Sequence, residues 1–469
     1  MPKKRSNNSY RKNELKINNI DITDDCLTGR SGLSLFIAYL HGISLFPIID
    51  SLFGNLRKSK KGASAVEIFK QIFCFMMDGT SRHLVYFDNL KADRGYAACI
   101  ETSEDDMASS HTIKRFFGNF SFAKVFVFRH LLQKLFIWRL NITKPAVVEL
   151  GIDTMVMDND DAECRHGVKP TYKKKKGFQP LQMNWGRFFV DAVFRGGNKH
   201  SNHGDTVQKM ILHIVNRIRK EYRHDVPIVI RMDSGFFDRK IFEFCEQLGV
   251  GYICGGKMYN DIKEFAGETT RWRRFSAPGK EDIWEYAEFG TKRGNWKKFR
   301  RAVYCRLCNH GSQLRLPGTG PDTVIITNLG LGGTVDELLE KAGVMSEYVS
   351  AAAIVAGYHV RGSDELVNRG FKDFGHEQLP FTRFTPNAAW YYMLLVGFFL
   401  FESFKEDAAS PVVSITAYAS TVRRQLVDVA GKIVRHSGRV LLKVARCAFE
   451  GLQLAEMLKR CNNPPVLQH

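Results

Sequence analysis

The chain has 469 residues, of which 44% are hydrophobic, so it is long enough for more than one packed core and is not a disordered protein. Lysine and arginine outnumber aspartate and glutamate by 68 to 49, and the formal net charge of +19 favours a polyanionic partner over a basic protein without one. The cysteines are scattered and no apolar leader opens the chain, which predicts reduced thiols in a cytoplasmic protein. The longest apolar run, residues 388–401, is too short to cross a bilayer comfortably and predicts a buried helix, so no membrane partner is expected.

The first 144 residues are predicted to be helical after a polar start. Residues 1–30 are rich in Asn and Lys and predict a basic polar arm, either loose or ordered on binding. Residues 31–144 predict a helical DNA-binding region, because apolar side chains recur there at helical spacing. One helix is predicted over 110–117, capped by Ser109 or Ser110, and its basic residues fit a DNA contact or an ordinary amphipathic surface equally well.

The pattern changes to strands in residues 145–256, the first part of a predicted α/β core. Short apolar runs bounded by turn residues predict a strand before each of two aspartates, Asp153 and Asp233. The predicted strands cover 147–153, 178–183, 187–194, 227–233 and 251–254, and the predicted helices cover 205–222 and 237–248. This order of three strands, a helix, a strand, a helix and a strand is typical of a mixed α/β layer.

The remaining residues divide into three predicted segments. Residues 257–321 are basic and aromatic with frequent glycine and proline, and they predict a β-rich insertion. Residues 322–400 predict the second part of the core, a strand followed by mainly helical structure with breaks near Gly343 and Gly357. Residues 401–469 predict a helical C-terminal region.

Asp153 and Asp233 stand where two strands are predicted to end, in Gly-Ile-Asp-Thr and Met-Asp-Ser-Gly. If the two strands are neighbours, both carboxylates can share a divalent metal ion, because Mg²⁺ prefers carboxylates together with water and phosphate oxygens. Two such ions about 4 Å apart would serve phosphodiester cleavage. Each aspartate taken alone is as easily a cap or a turn residue.

Four polar side chains further along the chain recur at intervals of three, four and seven residues, a spacing that predicts one face of a helix. They are Tyr358, Arg361, Glu365 and Lys372. Glu365 would complete a metal site if this helix packs beside the two strand ends, while the two cations would contact phosphate. An exposed helix face with internal ion pairs is the plainer interpretation, and the spacing alone favours it.

The combined pattern resembles the DDE transposases of bacterial insertion sequences that carry the YREK signature. The spacing of that signature is matched without a gap by Tyr358, Arg361, Glu365 and Lys372. Asp153 and Asp233 resemble the two aspartates of the family, and residues 172–181 and 325–328 resemble segments that accompany its catalytic residues. The resemblance covers about residues 145–400.

This resemblance implies an RNase H-like catalytic core in which the β-rich insertion separates the second aspartate from the glutamate. Asp153, Asp233 and Glu365 would form the catalytic, metal-binding triad, with Mg²⁺ or Mn²⁺ as the cofactor, and the other signature residues would contact DNA. The family implies metal-dependent nicking of double-stranded DNA, release of the element through hairpin ends, and insertion into target DNA by a homodimer. The expected location is the bacterial cytoplasm, at the nucleoid.

Two groups of residues are less directly tied to that family. Well-known members place a tryptophan before the strand that precedes the glutamate helix, where it stacks on a flipped base, and the corresponding position here is Thr323. Trp296, in the insertion, is the candidate substitute, with core packing as its alternative role. A basic run that follows the Asp153 strand is predicted to contact DNA rather than to form only a solvated hairpin. The run consists of Lys173, Lys174, Lys175 and Lys176.

Two other functions fit the same residues. One is an RNase H-like nuclease that cuts DNA without joining it, since nothing in the sequence separates cleavage from strand transfer. The other is a catalytically dead derivative that only binds DNA, which the complete set of three acids disfavours.

Overall fold

The computed structural model describes residues 17, 19–56, 62–276, 282–310, 313–314, 322–360, 362–410 and 412–467, without the side chains of residues 309–310, 313–314 and 362–364. Arg361 and most of the predicted basic arm, residues 1–16 and 18, lie outside this part of the chain.

The N-terminal part is helical, as predicted, apart from one short strand. Its elements are β1 (Leu27–Thr28), α1 (Leu33–Gly42), α2 (Leu45–Phe53), α3 (Ala65–Asp78), α4 (Tyr86–Ala92), α5 (Arg94–Cys99), α6 (Ser110–Gly118) and α7 (Phe122–Thr143). The predicted cap of α6 is confirmed, because the Ser109 hydroxyl accepts a hydrogen bond from Thr112 N at 3.2 Å. α3 ends at Gly79, whose φ of +62° favours glycine at the end of a helix.

The middle of the chain supplies the strands of the core. They are β2 (Val148–Thr154), β3 (Met157–Asp158), β4 (Lys169–Pro170), β5 (Lys176–Phe178), β6 (Leu181–Trp185), β7 (Phe188–Val193), β8 (Ile228–Met232) and β9 (Gly251–Gly255). Two helices connect β7 to β8 and β8 to β9, namely α8 (Thr206–Glu221) and α9 (Arg239–Gln247). α8 forms because Val207, Ile211, Ile214 and Ile218 make one apolar stripe, and all four are buried.

The segment after β9 adds further strands to the same sheet. Its elements are α10 (Asn260–Glu268), β10 (Arg273–Ser276), β11 (Ile283–Thr291), β12 (Arg300–His310), β13 (Gln313–Leu314) and β14 (Thr323–Thr327). The main sheet runs in the order β10-β11-β12-β14-β9-β8-β2-β6-β7, with β13 on β12. The strands predicted in the insertion therefore extend the core sheet beyond β14.

The sheet contains the strand arrangement of an RNase H-like core. β6 lies antiparallel between β2 and β7, whereas β8 is parallel to β2 and β9 is parallel to β8. This order, β7-β6-β2-β8-β9, joins three antiparallel strands to two parallel strands through α8 and α9. Parallel neighbours place their carboxyl ends at one edge of the sheet, which is the edge that both aspartates reach.

Helices cover the sheet and complete the chain. They are α11 (Thr334–Lys341), α12 (Met345–Val349), α13 (Ala351–His359), α14 (Gly362–Gly375), α15 (Phe384–Phe404), α16 (Ala419–Val422), α17 (Arg446–Gly451) and α18 (Leu454–Asn462), with a hairpin of β15 (Gly431–His436) and β16 (Arg439–Val444) before α17. In the described part of the chain, the helical stretch Phe384–Ala409 is long and apolar enough to cross a membrane, and 83% of its most apolar stretch is buried inside the protein. The bent pair Leu33–Gly42 and Leu45–Leu56 passes the same criteria only when taken together across a bend of 73°. The prediction of a buried helix over 388–401 is confirmed.

Two predictions of helical structure were wrong. The break predicted near Gly357 lies two residues beyond it, since α13 ends at His359 and α14 begins at Gly362, and the four signature residues therefore do not share the single helix predicted for them. Residues 431–444 form a β-hairpin, although the C-terminal region was expected to be helical throughout. The separation of α13 from α14 changes how the candidate site is assembled. The hairpin adds a β-ribbon surface that the sequence did not predict.

Candidate metal and DNA site

Asp153 and Asp233 lie side by side at one edge of the sheet. β2 and β8 pair in parallel with Ile152 opposite Met232, so the next residue of each chain segment is one of the two aspartates. Neighbouring strands are about 4.8 Å apart, and the alternation of side chains puts both aspartates on the same sheet face. The strand pairing therefore brings together the two carboxylates that the sequence predicted at strand ends.

A nearby backbone N–H orients each of these carboxylates. Asp153 Oδ1 accepts from Thr154 N at 2.7 Å, and Asp233 Oδ1 accepts from Gly235 N at 2.9 Å. Asp233 thereby caps a short 3₁₀ turn, Ser234–Phe236, so the interpretation of this residue as a cap is correct as far as it goes. The cap uses one carboxylate oxygen, so it does not exclude a metal-binding role.

Helix α14 reaches the aspartates through Asn368. The Nδ2 of this half-buried side chain donates to Asp153 Oδ2 at 3.3 Å. Glu365 precedes Asn368 by three residues, which is about 4.5 Å along a helix and on the same face. The helix that carries the glutamate therefore packs against the aspartate strand.

The three acids do not form a closed cluster in this structure. Glu365 is exposed, and within the described part of the chain no group of three or more His, Cys, Asp or Glu side chains is close enough to hold a metal ion. Two strand-borne carboxylates are brought together, and the third acid lies on the adjacent helix, one turn from the contact with Asp153.

Tyr358, the first signature residue, lies beside the Asp233 turn. Gly255 ends β9 there, and a Cβ built on it would lie 2.6 Å from Tyr358 Oη and 3.0 Å from Ser234 N. A side chain at residue 255 would meet both groups, so the phenol packs against Gly255, whose other neighbour is the backbone that follows Asp233. The signature spacing thus brings Tyr358 to the same sheet edge even though α13 and α14 are separate helices.

Lys372 is held by an acid outside the signature. Its Nζ lies 2.9 Å from Glu377 Oε2, which also accepts from Asp158 N at 3.2 Å. Lys372 follows Glu365 by seven residues on the same face of α14, about 10.5 Å further along the axis. The ion pair therefore connects α14 to β3. The fourth signature residue, Arg361, lies outside the described residues.

The lysine run lies in the hairpin between β4 and β5 and is only partly paired. Lys175 Nζ lies 2.9 Å from Asp160 Oδ2, and Lys176 pairs with Glu163. Both lysine side chains are more than half exposed, at 54% and 51%, so solvent screens these pairs and they add little stability. Lys173 and Lys174 are also exposed, and Lys174 has a positive φ of 58°. The run remains accessible to a polyanion.

Trp296 is a packed residue of the core. It is 5% exposed, its ring lies 5.8 Å from the Phe237 ring, and the Arg300 guanidinium sits 4.7 Å above it. This burial favours core packing over the predicted stacking on a flipped base. A second tryptophan of the insertion, Trp284, stacks at 3.8 Å on His359, the last residue of α13.

Sequence analysis missed two residues at this edge. Asn368 could have been found, since it lies three residues after Glu365 and a helix puts the two on one face. Ser201 could not, because its position depends on a loop that returns from β7. Its Oγ lies 3.4 Å from Thr154 Oγ1, and a Cβ on Gly235 would lie 2.9 Å from that Oγ. The loop therefore crosses the edge between the two aspartate turns.

The donor set fits a hard divalent cation. Two carboxylates on adjacent strands and an amide on the facing helix offer the oxygen ligands that Mg²⁺ takes in proteins, with the remaining positions left to water and phosphate. Asp153 and Asp233 would hold the ion, and Glu365 would join from α14. The ten cysteines include buried and exposed thiols, and Cys254 lies beside the site, where its Sγ donates to the backbone oxygen of Asp233 at 3.4 Å.

Comparisons with known proteins identify the family of the chain. The family model described as transposase DDE domain group 1 matches residues 21–465. No curated protein matches the chain. Among solved structures, the cryo-EM structure of a piggyBac transposase synaptic complex with hairpin DNA is 13% identical over 84% of this chain and 79% of that chain, with a TM-score of 0.37. That structure is too distant to assign individual residues, whereas the family model spans nearly the whole chain.

Proposed function

The chain belongs to the DDE transposase family, and from that premise we propose that it cleaves double-stranded DNA at the ends of a mobile element and joins those ends to target DNA. The observation that carries this proposal is the pairing of β2 with β8, which sets Asp153 beside Asp233. The contact of Asn368 with Asp153 supports it further, because it brings the helix of Glu365 to the same edge.

In this proposal, the three acids hold Mg²⁺, for which Mn²⁺ can substitute. Asp153 and Asp233 form the preset part of the site, and Glu365 completes it by turning its exposed side chain toward them. A divalent ion bound there would activate the attacking water and stabilise the leaving oxygen in phosphodiester cleavage. Asn368 donates its N–H to Asp153 and so keeps that carboxylate aimed at the same position.

The cations near the site would position DNA. Lys372 and Arg361 cannot ligate a metal, so their role is to bind the phosphates beside the cleaved bond. Lys372 would exchange Glu377 for a phosphate when DNA is present, since an ion pair at 2.9 Å between partly exposed groups is weak. Lys173 to Lys176 would contact the same duplex further from the chemistry.

The acting species would be a homodimer on DNA. Two element ends must be joined to one target, and a symmetric pair of identical subunits provides two equivalent sites. Light scattering with and without duplex DNA from the element ends tests this part of the proposal. A complex at saturation with the mass of a single subunit bound to a single duplex would contradict it.

One observation favours a second function. Because Glu365 is exposed and does not cluster with the two aspartates, the chain also fits a catalytically inactive protein that retains DNA binding. Cleavage that requires Mg²⁺ separates the two functions. A nuclease that cuts without joining is separated by supplying an end that is already cleaved.

The experiment uses the full chain and labelled duplexes from the DNA that flanks its gene, chosen to contain short inverted repeats. Mg²⁺-dependent cleavage that stops with a chelator and with Asp233→Asn is expected, followed by joining of a precut end to plasmid DNA. Cleavage that persists without metal or in the variant would overturn the proposal. Cleavage without joining would restrict it to a nuclease.

A further inference from the structure

The hairpin of β15 and β16 projects from the body of the protein. Residues 435–441, which form its distal half, are all exposed, whereas Ile433 near its base is 9% exposed. The turn has two residues with positive φ, Ser437 at 50° and Gly438 at 74°, which is the geometry of a tight hairpin turn. The tip lies four residues beyond Ile433, about 13 Å at 3.3 Å per residue.

The base of this hairpin is fixed to the N-terminal segment. β1 pairs with β15, and Ile433 N donates to Cys26 O at 2.8 Å. Lys432 Nζ lies 2.8 Å from Asp25 Oδ1. The hairpin is therefore a ribbon with a tethered base and an exposed tip, and its direction is set by the body of the protein.

The charges of the ribbon are all of one sign. No aspartate or glutamate occurs between Asp428 and Glu450, while the hairpin and its flank carry several cations. They are Lys432, Arg435, Arg439, Lys443 and Arg446, together with His436. In the described part of the chain, Lys432 is the one member of this set with an ion pair at the ribbon base, and Arg446 pairs only along α17 with Glu450.

The register places most of these cations on one face. Lys432 pairs with Lys443, and His436 pairs with Arg439, so these four side chains project from the same side of the ribbon. Like charges directly opposite each other destabilise a strand pair. Lys432 is offset by Asp25, whereas Arg439 and Lys443 have no ion pair within the described part of the chain, and such unneutralised cations on an exposed face indicate a partner that carries negative charge.

The ribbon also exposes apolar side chains among the cations. Val440 is 61% exposed and Leu441 is 42% exposed. Strands with exposed apolar side chains favour unwanted association unless they are covered. The partner must therefore offer both phosphate-like charge and an apolar surface within reach of a narrow ribbon.

We propose that this hairpin inserts into the major groove of duplex DNA, an inference that rests on the proposed function. The major groove is about 12 Å wide and about 8.5 Å deep, and it admits a two-stranded ribbon. The reach of the tip, about 13 Å beyond Ile433, exceeds that depth, so the distal half of the ribbon can enter the groove to its floor. Arg435 and Arg439 lie at the tip, where they contact base edges or the lining phosphates, and Val440 meets thymine methyl groups. Lys443 contacts the backbone nearer the base of the ribbon.

The test compares two full-length triple variants that remove the same charge. The ribbon variant carries Arg435→Ser, Arg439→Ser and Lys443→Ser. The control carries Lys220→Ser, Lys341→Ser and Lys459→Ser, all of which are exposed residues on helices away from the hairpin. Thermal melting of both variants confirms that neither substitution set unfolds the chain.

Duplex affinity is measured by fluorescence anisotropy over a series of salt concentrations. Each phosphate contact that is lost lowers the slope of log affinity against log salt by about 0.9, so the ribbon variant should lose roughly two to three units and bind at least about ten-fold more weakly. The control should bind like the wild type. Equal weakening in both variants would reduce the effect to net charge and overturn the ribbon contact.

Other outcomes separate this inference from the function on which it rests. If the wild type binds duplex tightly and the ribbon variant binds as well, the ribbon contact is wrong while the proposed function stands. If the ribbon variant changes the mass of the DNA-free protein but not its affinity for duplex, the hairpin joins copies of the chain, and the DNA contact is overturned. Failure of the wild type to bind any duplex would overturn both.

Discussion

The two aspartates of the candidate site are held by buried strands, whereas the glutamate is held by the start of a helix. Asp153 and Asp233 follow apolar strands in the middle of the sheet, and every residue of β8 is buried. Glu365 lies in the first turns of α14, directly after the break that ends α13, and it is exposed. The strands can move little without disrupting the core, whereas the start of α14 can adjust at small cost.

The far end of α14 is anchored much more firmly than its start. Arg423 is buried and donates to the carbonyl oxygens of Asp373 and Phe374 at 3.2 and 2.7 Å, and to those of Met76 and Met77 at 2.7 and 3.0 Å. It thereby joins the C-terminal ends of α3 and α14. The site therefore combines two carboxylates held by buried strands with a third acid on a helix that is anchored at its C-terminal end.

The largest expected effect comes from the preset pair. Asp153→Asn or Asp233→Asn keeps the shape and the backbone hydrogen bonds but removes a metal-binding charge, so cleavage should fall by about 10³-fold, as for loss of a positioned catalytic group. Duplex affinity and melting temperature should stay near the wild-type values. Asp161→Asn is the control, because this aspartate is exposed and lies away from the strand ends. Normal cleavage by either site variant would remove the pair from the chemistry.

Glu365→Gln should lower cleavage by about 10²- to 10³-fold, since the third acid completes the same donor set. Added metal should restore activity to different extents in the two variants. Because Glu365 lies at the start of α14, which can adjust its position, Mn²⁺ or excess Mg²⁺ should restore more activity to Glu365→Gln than to Asp233→Asn. Metal titrations of both variants measure the difference, with Glu340→Gln on α11 as the exposed control. Identical rescue of the two site variants would show that the supports do not differ in the way described.

Arg423→Met should destabilise the fold by about 3 kcal/mol, because buried carbonyl groups lose a charged donor and stay unsatisfied. The same change releases the anchored end of α14. Cleavage measured well below the melting temperature should then fall more than duplex binding does. Arg424→Met is the control, since Arg424 is next to Arg423 in the chain but its side chain is exposed. A stable Arg423→Met protein would refute the anchor.

Asn368→Ala should raise the metal concentration needed for half-maximal cleavage by about 10- to 100-fold, the usual range for residues that orient a ligand. A residue that only packed α14 on the sheet would change stability and leave that concentration unaltered. Leu366→Ala on the same helix is the control, because Leu366 is 55% exposed. An unchanged metal requirement in Asn368→Ala would limit Asn368 to a structural contact.

Much of this site could be predicted from the sequence because the strands are locally encoded. The apolar runs before Asp153 and Asp233 predicted β2 and β8, and the family resemblance supplied the expectation that they are neighbours. The break predicted near Gly357 lies after His359, but its separation of Tyr358 from Glu365 was missed, because spacing alone cannot distinguish one helix from two that continue in register. Asn368 was missed because it is not a signature residue, although it lies on the same helix face as Glu365.

The C-terminal hairpin shows the opposite case, in which a local signal was present and was not used. Residues 432–435 and 439–444 are rich in β-branched and aliphatic residues, and Ser437-Gly438 between them is a turn signal. The extension of the sheet through β14 could not have been predicted in this way, because its pairing joins strands that are far apart in the chain.

The smallest expected effect concerns the break itself, where His359 ends α13. Its half-buried ring stacks on Trp284, and its Nε2 lies 3.8 Å from Cys305 Sγ. Burial lowers the pKa of His359, although Asp282 acts in the opposite direction. The folded protein therefore binds this proton less readily than the unfolded chain does, where the pKa is about 6.5. Stability from the neutral ring is complete above that pH and is lost as the pH falls toward the folded pKa.

His359→Phe keeps the stacking and removes this titration, so the stability difference between wild type and variant should change only below about pH 6.5. A single group cannot contribute more than about 1.4 kcal/mol per pH unit, which makes urea denaturation of the matched pair the appropriate measurement. Other histidines with lowered pKa values, such as His376, are common to both proteins and cancel in the difference. A difference that stays constant with pH would mean that His359 titrates alike in the folded and unfolded chain. If the difference does change, acid should weaken the junction between α13 and α14 before it affects the strands of Asp153 and Asp233, because His359 ends α13 and contacts β11 and β12 rather than β2 or β8.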